Sequence, residues 1–254
     1  MYEAHFGLRE APFNVTPDPK FIFFSRKHLD AFSCLLYGIG SRKGFIQITG
    51  EIGAGKTTLC RAVLEKLRGV QVHSAMVLNP RLSELPLLHT IADDFGIVLK
   101  ARNKKECFDG LNRFLLEEFD KGYNTVLIID EAQDLTPRTL EQIRLLSNLE
   151  TNCEKLIQIV LVGQPELRDT LNHADLAQLR QRISIRFHLT ALDRVETEEY
   201  ILHRLRIAGV QDGFRLFLGE AIDLIYNRSQ GVPRVINKLC DRALLAAYAR
   251  DLRD

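Results

Sequence analysis

The chain has 254 residues, 46% of them apolar and 26% charged, which suits one large globular domain or a large and a small one around a substantial core. A net charge of +1 gives no global attraction to nucleic acid or membrane, so either partner would need a local basic patch. Glu3, His5, Arg9 and Glu10 interrupt any amino-terminal leader, and the longest apolar runs are strand-sized, too short for a membrane span.

The five cysteines (Cys34, Cys60, Cys107, Cys153 and Cys240) form no C-x-x-C pair and no metal-ligand spacing. An odd number in mostly apolar surroundings predicts reduced thiols in a cytoplasmic protein. The seven histidines form no ligand cluster and read as ordinary surface or core residues.

Residues 1–24 carry Phe6-Gly7-Leu8, Pro12-Phe13 and Thr16-Pro17-Asp18-Pro19, a proline-marked segment expected to be irregular and held to the body by its aromatics. Ser25 caps a predicted helix with Leu29, Phe32, Leu36 and Ile39 on one face. A strand follows at 45–49. The chain then passes through Gly50-Glu51-Ile52-Gly53-Ala54-Gly55-Lys56-Thr57-Thr58 into a helix that runs to about Leu67.

That stretch matches G-x-x-x-x-G-K-S/T at Gly50, Gly55, Lys56 and Thr57. Glycines let successive N–H groups turn inward around a polyphosphate, and the helix behind adds the positive end of its dipole. Gly50, Gly53, Ala54, Gly55, Lys56, Thr57 and Thr58 therefore form the candidate cofactor-binding loop. Lys56 reaches the β- and γ-phosphates, and the Thr57 hydroxyl suits Mg²⁺. A plain glycine turn ending in Lys-Thr would not need a strand before it and a helix behind it.

Val70 to Leu78 reads as a second strand, ending at Asn79 and Pro80. Ser83 starts a helix with Leu88, Ile91, Ala92 and Phe95 on one face, closed by Gly96. Cys107, Leu111, Phe114 and Leu115 mark another helix. The strand Asn124–Asp130 is nearly all apolar, as a parallel strand covered on both faces should be. It delivers Asp130-Glu131 at its carboxyl end, where α/β sheets bind ligands. Asp130 is the second candidate Mg²⁺ ligand, directly or through water. Glu131 is the candidate group for polarising the attacking water; the plainer alternative is an acidic turn capping the next helix.

Thr136-Pro137 starts that helix, with Leu140, Ile143, Leu146 and Leu149 on its buried side. Leu156 to Val162 is a strand followed by Gly163-Gln164-Pro165-Glu166; Gln164 is placed to sense a γ-phosphate or fix the lytic water, or is a turn residue. Arg180, Arg182 and Arg186 precede or begin the strand Ile183–Leu189. They suit a nucleic-acid patch, a solvated basic face, or an arginine finger for a neighbouring subunit's nucleotide. Alternating strands and helices predict an α/β fold with a parallel sheet and right-handed crossovers.

Beyond about residue 191 the pattern is helical only. Asp193 and Glu196 form a capping arrangement, and Gly209 ends that helix. Leu218, Ile222 and Ile225 mark a second helical face; Ile236, Leu239, Cys240, Ala243 and Ala247 mark a third. Arg234 opens this last helix behind Gly231-Val232-Pro233, where a cation gains nothing from the helix dipole, so an anionic partner such as phosphate explains it.

Phosphate loop, Asp130-Glu131, Gln164, the arginines and Arg234 together resemble an AAA+ ATPase. With Phe6-Gly7-Leu8, Pro12-Phe13, Pro17-Asp18-Pro19, Asp130-Glu131-Ala132-Gln133, Gly163-Gln164-Pro165-Glu166-Leu167 and Gly231-Val232-Pro233-Arg234-Val235-Ile236-Asn237, nearly the whole chain is similar to the ExeA (GspA) family of general-secretion-pathway ATPases. The resemblance implies a P-loop α/β domain over 1–190, irregular over 1–24, with sheet order 5-1-4-3-2, and a helical lid over 191–254. It implies binding of ATP and Mg²⁺ and cleavage of a phosphoanhydride bond in a homo-oligomer with nucleotide at subunit interfaces. Gln164 would be sensor one, Arg234 sensor two, Arg182 the finger with Arg180 as second choice, and Asn79 a restraint on Glu131. It further implies an ExeB-like inner-membrane partner and the cytoplasmic part of an inner-membrane protein.

The nearest rival is a DNA-associated AAA+ protein of the transposition-helper or initiator kind, which near-neutral charge does not favour. A helicase would need a second nucleotide-fold domain, a GTPase an N-K-x-D motif that Asn237-Lys238-Leu239-Cys240-Asp241 does not provide, and a small-molecule kinase a substrate pocket.

Overall fold

A computed structural model of the chain describes residues 2–14, 18–150, 154–210 and 216–252. Thr16 and Pro17 of the proline-marked segment, and Cys153, lie outside the described residues. In chain order the helices and strands are α1 (Tyr2–His5), α2 (Arg26–Gly40), β1 (Phe45–Gly50), α3 (Lys56–Leu67), β2 (Val72–Val77), α4 (Glu84–Asp94), α5 (Lys104–Asp120), β3 (Asn124–Ile129) and α6 (Pro137–Leu146). There follow β4 (Ile157–Gly163), α7 (Glu166–Leu171), α8 (Ala177–Arg182), β5 (Ile183–Leu189), α9 (Arg194–Ile207), α10 (Gly219–Ser229) and α11 (Pro233–Ala249). Contacts divide the chain into a sheet unit, residues 30–50 and 59–189, and a helical unit, drawn from residues 1–29, 51–58 and 190–254.

In the sheet unit the strands are parallel in the order β2-β3-β4-β1-β5, the predicted order counted from the other edge. Every residue of β1, β3 and β4 is buried, while β2 and β5 are partly open, as edge strands must be. The register sets Thr49 beside Gly163 and Leu161 beside Ile129, so β1, β3 and β4 end along one edge of the sheet. Leu88, Leu111, Leu127, Ile143, Ile159 and Leu179 fill the core of this unit. Thr136 accepts from Thr139 N ahead of Pro137, and Asn103 accepts from Glu106 N. Each such cap is worth about 1 kcal/mol.

Three helical expectations change. Ser25 caps α2 as expected, its Oγ accepting from His28 N, but Leu29 is 51% exposed and the fully buried stripe is Ala31, Leu35 and Ile39. Gly38 lets the helix approach β1 closely beside that stripe, since a Cβ there would lie 2.5 Å from Ile46 Cδ1. On α11, Ala243 is exposed and Leu244 is buried with Ile236, Asn237 and Cys240. The short helices α7 and α8 have no counterpart in the sequence reading, because each is marked by only one apolar pair, Leu167/Leu171 and Leu176/Leu179, too few to display a period.

The helical unit has its own core of Phe6, Phe13, Phe21, Leu192, Ile201, Ile222, Ile236 and Cys240. The amino-terminal segment, expected to belong with the α/β part, thus packs with the carboxyl-terminal helices. Its described residues hold one short helix, α1, and a 3-10 turn at Pro19–Phe21. Buried Arg204 ties it down: Nε donates to Pro12 O at 2.6 Å, Nη1 to Tyr200 Oη at 2.8 Å, and the guanidinium lies 4.8 Å from the Phe21 ring. Tyr200 in turn donates to Asn237 Oδ1, which explains an asparagine on the buried face of α11. Asp193 and Glu196 form the predicted capping box, and Gly209 closes α9 at φ +99°.

Candidate nucleotide site

Gly50 ends β1 against Leu189, whose carbonyl oxygen would stand 2.5 Å from any Cβ. The chain then turns tightly, with Ala54 N donating to Glu51 O at 3.2 Å and Gly53 and Gly55 at φ +83° and +95°. These conformations strain an L side chain and leave the backbone free to fold into a cradle. Lys56 is buried at the start of α3 and its Nζ donates to Glu51 O at 2.9 Å, so the ammonium is directed into the loop.

Two side chains of the helical unit close on this loop. His28 Nε2 lies 3.0 Å from Ala54 O, and His28 Nδ1 lies 2.8 Å from Ser25 Oγ. A carbonyl only accepts, so Nε2 carries the proton; in the neutral ring Nδ1 then accepts from the serine hydroxyl. Burial pushes the His28 pKa below the usual histidine range. Arg234, the second residue of α11, donates its backbone N–H to Gly53 O at 3.3 Å, and a Cβ on Gly53 would meet Arg234 Cβ at 2.5 Å. The arginine expected near phosphate therefore stands beside the phosphate loop. Nothing in the sequence marked His28.

At the carboxyl edge of the sheet unit, Asp130 is buried and its Oδ1 accepts from Glu131 N at 2.9 Å. Glu131 has φ +51°, a left-handed backbone that costs a non-glycine residue about 1–2 kcal/mol and persists where neighbours fix it. Its Oε2 accepts from Gln133 Nε2 at 2.7 Å and from Gln164 Nε2 at 3.3 Å, and Gln164 N donates to Gln133 Oε1 at 2.9 Å. Glu131 and Gln164, separate expectations from sequence, are brought together by Gln133. Asn79, expected to restrain Glu131, is exposed and its Oδ1 accepts from Arg81 N at 3.4 Å.

The arginines divide. Arg182 Nη1 donates to Ser147 Oγ at 2.9 Å, beside α6. Arg180 Nη1 donates to Asn172 O at 3.1 Å, and Arg186 to Arg180 O. Arg180, Arg186 and Arg168 line a cavity of about 490 Å³ with Gln47, Asn172 and Gln181. Among the described residues no His/Cys/Asp/Glu group of three or more suits a metal, and no helix is long and apolar enough to cross a membrane. Cys60, Cys107 and Cys240 are buried and Cys34 is half-buried, and none of these four is in a disulfide.

Parallel sheet, glycine loop with buried lysine, and acidic strand end define a nucleotide-binding ATPase module. Residues 39–171, just over half of the chain, match the AAA domain family, and the chain belongs to it. It is 43% identical over 251 residues to General secretion pathway protein A of Aeromonas hydrophila, a match that takes in 98% of this chain and 45% of that protein. The chain thus spans under half the length of this relative. The fold is also that of Aeropyrum pernix ORC2 protein in ADPNP–ADP complexes (TM-score 0.68, 18% identity, 96% of this chain and 68% of that one). Drosophila ORC bound to DNA (0.71, 18%, 99% and 62%) and Cdc6p of Pyrobaculum aerophilum (0.70, 17%, 94% and 68%) are similar too. At such identities the likeness is one of fold alone.

Proposed function

We propose that the chain binds Mg·ATP, hydrolyses it in a homo-oligomer, and couples that cycle to assembly of a secretion machine in the cell envelope. The observation that carries the reading is the loop Gly50–Thr57, wound around buried Lys56 and braced by His28 and the start of α11. Such a loop offers inward N–H groups and a fixed cation to a polyphosphate. The Thr57 hydroxyl and Asp130 carboxylate are hard oxygen donors of the kind Mg²⁺ prefers, and the ion supplies charge neutralisation on the β- and γ-phosphates. Glu131 polarises the attacking water, Gln164 donates to a γ-phosphate oxygen, and Arg234 reaches the same group. Arg182, with Arg180 as second choice, serves a neighbouring subunit's nucleotide.

The secretion role rests on the likeness to General secretion pathway protein A, with an ExeB-like inner-membrane protein as partner and a cytoplasmic site of action. The test is molecular mass in solution with ADP and with a non-hydrolysable ATP analogue. Growth of the particle with the analogue only is expected; a monomer in both would sink the oligomeric reading. Salt-steep DNA affinity in its place would favour the DNA-associated alternative.

A further inference from the structure

Gln133 touches both groups that act on the γ-phosphate side of the proposed reaction, yet has no role assigned to it. Its amide has one donor end and one acceptor end, and the site uses both: Nε2 donates to Glu131 Oε2, and Oε1 accepts from Gln164 N. Turning the amide over would set a carbonyl against a carboxylate and an NH₂ against an N–H, so one orientation is allowed. The backbone under it is fixed as well, since the 3-10 turn Ala132–Asp134 is closed by Asp134 N to Glu131 O and Leu135 N to Ala132 O. Gly163 leaves room for the contact: a Cβ there would stand 2.8 Å from Gln133 Oε1.

The two bonds on Glu131 Oε2 differ. The one from Gln133 is 2.7 Å and the one from Gln164 is 3.3 Å, so Gln164 is held more weakly. When the Gln164 amide turns to a γ-phosphate oxygen it gives up the longer bond, and Gln133 then holds the carboxylate alone. A neutral amide does this without neutralising the charge that polarises water.

We propose that Gln133 is the positioning residue of the hydrolytic site: it aims the Glu131 carboxylate and ties that aim to Gln164, so that phosphate sensing leaves Glu131 in place. This rests on the ATP-hydrolysis reading above. The test uses the full chain with Gln133→Met, which keeps length but not hydrogen bonding, and Gln133→Glu, which keeps acceptors but no donor. Each is made in the native sequence and in Glu131→Gln, and each is measured for ATP-analogue affinity, single-turnover hydrolysis and thermal midpoint.

Gln133→Met should slow hydrolysis about 10- to 100-fold, with analogue affinity within about threefold and an unchanged midpoint. Gln133→Glu should be at least as slow. In the Glu131→Gln background, Gln133→Met should cost less than about threefold, because the group it positions is already disabled. If Gln133→Met fails to fold, Gln133→Glu decides. Near-native hydrolysis by the Gln133 variants, alongside a slow Glu131→Gln, would overturn the inference and leave the ATPase reading standing. So would equal losses in both backgrounds, or affinity falling with rate, since a merely structural glutamine would act that way. Normal turnover by Glu131→Gln would overturn the reading beneath it.

Discussion

Gly231→Ala should damage the helical unit far more than the loss of one glycine suggests. Gly231 has φ +72° and is buried, and a Cβ built on it would lie 1.8 Å from Leu192 O and 2.8 Å from Leu192 C. The obstacle is backbone, so no side chain can swing aside. The left-handed conformation costs alanine about 1–2 kcal/mol. Relief of the clash requires separating the two segments, which breaks the 3.0 Å bond from Leu192 N to Gly231 O in a buried place. That loss is worth about 1–3 kcal/mol. The sum, about 2–5 kcal/mol, is a large part of the stability of an ordinary domain. Gly219→Ala is the control: nothing lies within 4 Å of its Cβ and its φ is unstrained, so it should stabilise by about 0.4–1 kcal/mol. Urea denaturation of both variants measures the difference. Because Gly231 stands three residues before Arg234, Gly231→Ala should also weaken ATP in a nucleotide titration. A Gly231→Ala midpoint equal to that of Gly219→Ala would refute the argument.

Arg234→Ala should weaken ATP more than ADP by about one to two decades, the worth of one charge-assisted bond to the γ-phosphate; equal losses by calorimetry would assign Arg234 to the fold or the inner phosphates. His28 is held neutral with a depressed pKa, so as pH falls below about 6.5 the unfolded chain takes up a proton that the folded one refuses. That part of the stability is present above this pH and declines below it, until pH passes under the folded value. Urea midpoints at about pH 7.5 and 5.5 should therefore diverge less in His28→Leu than in the native chain, and identical divergence would contradict the role. Mixing Arg182→Ala with Glu131→Gln subunits should restore turnover at interfaces that combine intact groups. If exchanging subunits show no recovery, Arg180→Ala is mixed next, and failure of both removes the finger from these arginines.

Features carried by short chain spacing were legible in the sequence. The glycine turn, Asp130-Glu131 and the Asp193–Glu196 capping box each depend on residues within one turn or one strand end; the structure sets the turn between β1 and α3, puts Asp130-Glu131 directly after β3, and forms the capping box. The alternation of strands and helices likewise pointed to the parallel sheet, while its order came from the family resemblance alone. The bracing of the site was not legible. Gln133 meets Gln164 across 31 residues and His28 meets Ala54 across 26, and no local pattern reports such a meeting. The amino-terminal aromatics announced that they would pack, but their partners on α9, α10 and α11 arrive some 190 residues later, as Pro12 and Arg204 illustrate.

The central claim is that Glu131 drives hydrolysis of a nucleotide that the Lys56 loop binds. It is tested most directly by measuring ATP affinity and turnover in Glu131→Gln, with Lys56→Ala as the variant expected to lose both. The exchange of carboxylate for amide keeps shape and hydrogen bonding, so ATP should bind within about threefold of the native affinity while turnover falls about 10²-fold or more. Native turnover in Glu131→Gln would contradict the account.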